Sequence, residues 1–163
     1  MSELSLSGAE LLQWCDETAE HWFVLMEEHP AILALPCDIM NVQSVARLMQ
    51  HIVAVPLRYA QQLEGSEPDS YDRIPCGNVA ELRTTHMRAR TMYEQMLQRG
   101  VAWEEIVDVV TRSAGTFHMS RKKIFFHANL HTIRHFAQLA TLVRQHGYKP
   151  GWEMDFLMTQ AVR

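Results

Sequence analysis

The chain repeats apolar side chains at helical spacing in four long stretches, each bounded by residues that start or stop helices, and this pattern directs it toward a helical bundle. The first stretch runs from Gly8 to about Glu28. Ser7 stands at its N-cap with Glu10 three residues on, the capping-box spacing in which each side chain satisfies the other's backbone N–H. Leu11, Trp14, Cys15, Thr18, Trp22, Leu25 and Met26 form its apolar face, and Pro30 closes it. The irregular apolar segment from Ala31 to Ile39 reads as a packed connection. The second helix is expected from Asn41, as N-cap, to about Leu63, with Val45, Leu48, Ile52, Val55 and Tyr59 on its stripe, a kink at Pro56 and Gly65 as its stop. Ser66 to Gly77, with Pro68 and Pro75, reads as a surface loop.

The third helix spans Asn78 to Arg99. Asn78 and Glu81 again have capping-box spacing, and Gly100 lies just past the end. Leu82, Thr85, Met92, Met96 and Leu97 can face a core, and Met87 reads as core filling with Met92 and Met96. Ile106 to Thr111 is β-branched, Ser113 to Gly115 reads as a turn, and Thr116 to His118 follows, so a small hairpin or an extended excursion is expected. The last helix starts at the N-cap Ser120 and runs to about His146, with Gly147 and Pro150 as stops; Trp152 and Phe156 in the tail are expected to dock on the bundle. The predicted fold class is all-α: one four-helix-bundle domain over residues 1–163, with a short hairpin before the last helix.

Composition excludes several functions. A net charge of -4 offers no basic face, so nucleic acid is not expected as a partner. No apolar run approaches about 18 residues, so no membrane span is expected, and Met1 to Gly8 lacks the pattern of a signal peptide. Cys15, Cys37 and Cys76 are odd in number and form no C-x-x-C pair, which argues against a disulfide framework and a thiolate zinc site and fits a reducing cytoplasm. Cys15 and Cys37 read as buried free thiols.

Histidine is the unusual residue, with nine copies. His127, His131 and His135 stand four apart, so they stack on one helix face about a turn from one another. Two rings at that spacing can aim their nitrogens at one point, the geometry of H-x-x-x-H metal sites. The outer pair is about 12 Å apart along the axis, so a third ligand must come from another helix. Neutral imidazoles suit zinc, nickel, copper or iron(II). From spacing alone, a solvated histidine face or core rings bonded to carbonyls fits equally well.

Two segments read together carry more. The second helix holds Leu48-Met-Gln-His51-Ile-Val-Ala-Val-Pro-Leu-Arg58-Tyr59, and the last holds His131, His135, Gln138, Arg144 and Gly147 in that order. This pairing resembles the DinB-like (DNA-damage-inducible) family of metal-binding four-helix bundles, over essentially the whole chain. The resemblance implies an up-down-down-up helix order, His51, His131 and His135 as metal ligands, His127 as a neighbour, and a homodimer. Pro56 departs from the family pattern, which has a helix-forming residue there.

Three imidazoles leave a metal with an open position, which favours chemistry over a closed structural site. The expected function is therefore a zinc- or nickel-dependent enzyme, with iron(II) also fitting, such as a thiol S-transferase or hydrolase acting on a small molecule. The alternative is a non-catalytic metal-binding or stress-responsive module, since no general base stands beside the histidines in sequence; a purely structural bundle is the blandest reading. Arg58 and Arg134 are weighed as anion contacts against ordinary surface roles, Gln138 as a hydrogen-bond partner of a ligand histidine, and Tyr59 as lining the same channel or packing in the core. His21, His29, His86, His118 and His146 lack partners at ligand spacing and read as surface or loop residues.

Overall fold

The computed structural model describes residues 5–162, so the first four residues of the Met1–Gly8 segment and Arg163 of the tail lie outside the described residues. Four helices form: α1 over Gly8–Glu28, α2 over Val45–Leu63, α3 over Val79–Arg99 and α4 over Arg121–Gln145. Between α3 and α4 the strands β1, Ile106–Val110, and β2, Thr116–Ser120, pair antiparallel with Asp108 opposite His118. The helical bundle stands, but the two-stranded sheet means that the chain is not purely all-α. β2 runs two residues further than Thr116 to His118.

Cross-helix contacts give each helix its direction. Arg83 on α3 reaches Glu20 and Glu27 of α1 while Arg90 reaches Asp16, so α1 and α3 are antiparallel. Tyr93 bonds to Pro56 and Arg99 to Glu64, so α2 and α3 run the same way. Trp22 stacks on Phe136 and the Cys15 thiol donates to Asn129 O, so α1 and α4 are parallel. α1 and α2 thus sit at diagonal corners, and α2 packs against both α3 and α4. Trp22, Phe23, Met26, Leu48, Met49, Ile52 and Phe136 fill one end of the core; Leu11, Tyr93, Met96, Ile124 and Phe125 fill the other.

The caps explain the boundaries. Ser7 and Glu10 close the anticipated capping box on α1, and Ser120 caps α4 by accepting from Lys123 N–H at 3.1 Å. Gly100 takes the left-handed conformation, φ 64°, that ends α3 without a Cβ clash. On α3 the box is displaced: Asn78 accepts from Glu81 N–H, but Glu81 accepts from Gly77 N–H. The start of α2 differs from the expectation. Asn41 lies in a short 3-10 turn with φ 55°, where it cannot cap a helix, and Ser44, extended and bridged to Pro36, supplies the cap four residues before Leu48. α2 continues through Pro56 as one helix, and the buried Tyr93 hydroxyl donates to Pro56 O at 3.0 Å.

The tail docks as expected. Trp152 lies parallel to His21 and edge-on to Trp22, and Phe156 packs edge-on to Trp14. Met96 is buried, but Met87 is 56% exposed, so it is not core filling. All three cysteines are free, with Cys15 and Cys37 buried. None of the described helices is long and apolar enough to cross a membrane.

Candidate metal centre

α2 and α4 face each other antiparallel, and this brings His51 beside His131 and His135. His51 Nε2 lies 3.0 Å from His131 Nε2, which lies 3.1 Å from His135 Nε2. One ligand atom from each ring lies within 4.8 Å of the other two, and no other group of three such side chains is found among the described residues. His51 and His135 are buried, at 7% and 1% exposure; the His131 ring is partly exposed while its Nδ1 is enclosed.

The far sides of the rings fix which nitrogens point inward. His135 Nδ1–H donates to Gln138 Oε1 at 2.6 Å, which leaves Nε2 as a lone pair facing the centre. His51 Nδ1 lies 3.0 Å from the Tyr71 hydroxyl, whose oxygen can accept from Nδ1–H and so leave Nε2 as a lone pair. His131 Nδ1 has no hydrogen-bond partner among the described residues. Three inward lone pairs at this separation repel one another unless a proton or a cation sits between them. Burial holds all three rings below the ordinary imidazole range; His135 and the Arg112 and Arg134 cations add to this at His51, and His135, His51, Arg134 and His127 add at His131. At His135, the Gln138 bond opposes burial without reversing it. The imidazolium form is therefore disfavoured, and the three rings are neutral donors. A cation held at about 2.0–2.1 Å by imidazoles sets them about 3.3 Å apart at a tetrahedral angle, close to the 3.0 and 3.1 Å that separate His131 from His51 and from His135. The residues fit a divalent metal.

Two excursions roof the cluster. Tyr71 belongs to the segment read as a surface loop, yet it is half-buried, because Gln50 donates to the carbonyls of Tyr71 and Ile74 and ties that loop to α2. Arg112, from the hairpin turn, lies 3.9 Å over the Tyr71 ring. Burial, opposed by Arg112, pushes the Tyr71 hydroxyl up to about 12, so it stays protonated. Neither Tyr71 nor Arg112 is apparent in the sequence as a site residue, since each joins the site only through long-range contacts. Tyr71 stands in a loop whose prolines masked it, and a tyrosine between them was its one signal.

The other expectations divide. His127 sits a turn from His131, with ring centroids 5.8 Å apart, and edge-on to Tyr59; it does not join the cluster. Arg134 Nη2 donates toward His135 Nε2 at 3.4 Å, so it reaches the centre. Arg58 instead donates to Asp69 O and is committed to holding the loop. Among the five remaining histidines, His86 is not a free surface group: it bonds Asp16 at 2.9 Å beside Arg90. His118 is exposed and pairs with Asp108 across the hairpin. His21 stacks on Trp152, His29 lies against Tyr148, and His146 bonds Leu142 O.

The sequence profile of the DinB family matches residues 1–161. The chain belongs to the DinB family. A DinB chain with three converging imidazoles from α2 and α4 has the makings of a metal-binding bundle, in agreement with the resemblance read from His51, His131, His135 and Gln138. No match was found among curated proteins.

Proposed function

We propose that His51, His131 and His135 hold one divalent cation, zinc or nickel with iron(II) also suited, and that this DinB protein is a metal-dependent enzyme acting on a small molecule, as a thiol S-transferase or hydrolase. The observation that carries the reading is the meeting of three Nε2 atoms at 3.0 and 3.1 Å with the opposite nitrogens of His51 and His135 tied outward. The donor set uses three protein ligands, the number found in catalytic rather than structural sites. When bound, the cation supplies Lewis acidity, which lowers the pKa of a thiol or water brought to it. The chain's own groups do the rest. Tyr71 and Gln138 orient rings. Arg134 and Arg112 supply positive charge that favours a thiolate or another anion at the centre. Cys15 and Cys37 take no part, because burial raises the thiol pKa of each.

The test is elemental analysis of purified protein, joined to turnover of low-molecular-weight thiols with electrophilic acceptors. About one equivalent of metal and turnover lost in His131→Ala are expected. Metal-free protein sinks the site; loaded protein with no turnover above His131→Ala sinks the enzyme.

One observation favours a second reading, a non-catalytic metal-binding module. Among the described residues, no carboxylate joins the three-His cluster or makes a hydrogen bond to its rings, so a carboxylate base is missing. Tyr71 and His127 are the groups beside the ligands that can exchange a proton, since Gln138 does not ionise and Arg134 stays charged. A cytoplasmic setting and assembly as a homodimer belong to this proposal through the family resemblance and the unpaired cysteines.

A further inference from the structure

A second feature adjoins the three imidazoles. Between the hairpin and the helices α2 and α4 lies an apolar cleft of about 200 Å³. Val109, Phe117 and Met119 line it from the hairpin, Tyr59, Ile124 and His127 from the helices, and Thr111 and the exposed Lys123 complete the lining. His127 belongs to this cleft and also packs against His131, so cleft and cluster share a wall. Lys123, His127 and His131 follow one another by a helical turn each, which sets the lysine about 12 Å along the axis from the nearest ligand ring.

Lys123 is unusual in two respects. It lies in the first turn of α4, where the helix dipole disfavours cations and where no acidic residue stands. Its neighbours there are both paired, Arg121 with Glu105 and Lys122 with Glu104, whereas Lys123 makes no salt bridge among the described residues. The helix end and the lysine therefore add their positive charge at the mouth of an apolar slot. An apolar cavity of about 150 Å³ holds a benzene ring, so this one has room for a ring with a short substituent.

We infer that this cleft binds a small anion with an apolar body, an aryl or arylalkyl carboxylate, with its charged end at Lys123 and its body between Phe117 and Ile124. The opposite end of such a ligand faces His127 and the cluster, which makes the cleft the site of the second, non-thiol substrate. In that role it rests on the metal reading above; the binding itself does not.

Calorimetric titration with hydrocinnamate, and with the neutral hydrocinnamamide as its match, tests the inference. The anion is expected to bind more tightly than the amide, with an advantage that shrinks as salt rises. Lys123→Gln is expected to weaken the anion by about 3- to 5-fold and leave the amide unchanged, the range an exposed ion pair supports. Lys122→Gln should change neither. Phe117→Ser should weaken both ligands by about tenfold; a thermal melt checks its fold, and the exposed lysine variants stand without it. Equal binding of anion and amide, equal effects of the two lysine variants, or no binding of hydrocinnamate overturns the inference. The titrations are run on metal-loaded and chelator-treated protein, with metal content measured. Metal retained without hydrocinnamate binding removes the cleft alone; hydrocinnamate bound by protein that holds no metal under any loading removes the metal reading alone.

Discussion

The Tyr71 hydroxyl meets His51 Nδ1 at 3.0 Å, so a residue from the loop between α2 and α3 orients a ring on α2. Partners of this kind set the tautomer of a ligand histidine and its ring angle, and their loss costs about 10- to 100-fold in metal affinity. Tyr71→Phe is therefore expected to weaken metal binding by about tenfold, read by competition with a chromophoric chelator. Gln138→Ala should act likewise through His135. Unchanged affinity in both variants would mean that the outward bonds do not govern the rings.

Replacing a ligand is a harsher change. His51→Ala, His131→Ala and His135→Ala should each reduce bound metal, measured by elemental analysis after dialysis, well below the stoichiometry of the parent. Replacing His127, which packs beside the cluster without joining it, should leave the metal in place. A loss of metal in His127→Ala equal to that in His131→Ala would contradict the assignment.

Metal binds the folded chain and not the dispersed histidines of the unfolded one, so it stabilises by mass action. Loaded protein should melt higher than chelator-treated protein, by several degrees when free metal exceeds Kd about a hundredfold. The difference should vanish in His135→Ala. A scanning calorimeter reads both, and identical melting of loaded and stripped parent protein would count against a built site.

Asp16 predicts a pH dependence on the opposite side of the bundle. Burial alone would raise its pKa, but the His86 hydrogen bond and the charges of His86 and Arg90 outweigh it and hold the carboxyl below its ordinary value. A group whose folded pKa is depressed adds stability that is fully present above the unfolded pKa, about 3.9, and is lost as pH falls through the folded value. Asp16→Asn should therefore be less stable than the parent at neutral pH, with the gap closing below about pH 4. Urea midpoints at pH 7 and pH 3 measure this, and a gap independent of pH would refute it.

Tyr93 offers a check on the core. Its hydroxyl is buried and donates to the carbonyl of Pro56, so Tyr93→Phe removes one buried hydrogen bond with little change in shape. A loss of about 0.5–1.5 kcal/mol is expected in denaturant unfolding. A neutral substitution would show that the bond contributes nothing net.

Much of this was readable in the chain because it depends on near neighbours. Ser7 with Glu10, Ser120 and Gly100 act within one turn of helix, and the structure places each where its spacing requires. His131, His135 and Gln138 lie on one face of one helix, so their geometry follows from α4 alone. Tyr71, Arg112 and the Asp16–His86 pair were not readable, since each contact joins residues far apart in sequence. Asn41 shows how a local rule loses. It is as good a cap as Ser44 by residue type, but the bridge between Pro36 and Ser44 extends the chain at residue 44 and leaves Asn41 in a turn.

The roof over the imidazoles has a consequence for how such a bundle diversifies. The donors stand on two helices, whereas Tyr71 and Arg112 come from two separate excursions and meet through their side chains. Lengthening or rewriting the hairpin turn that carries Arg112 would reshape the entrance while leaving in place the donors and the Tyr71 hydroxyl that orients His51. One unchanged set of ligands can thereby serve many different guests.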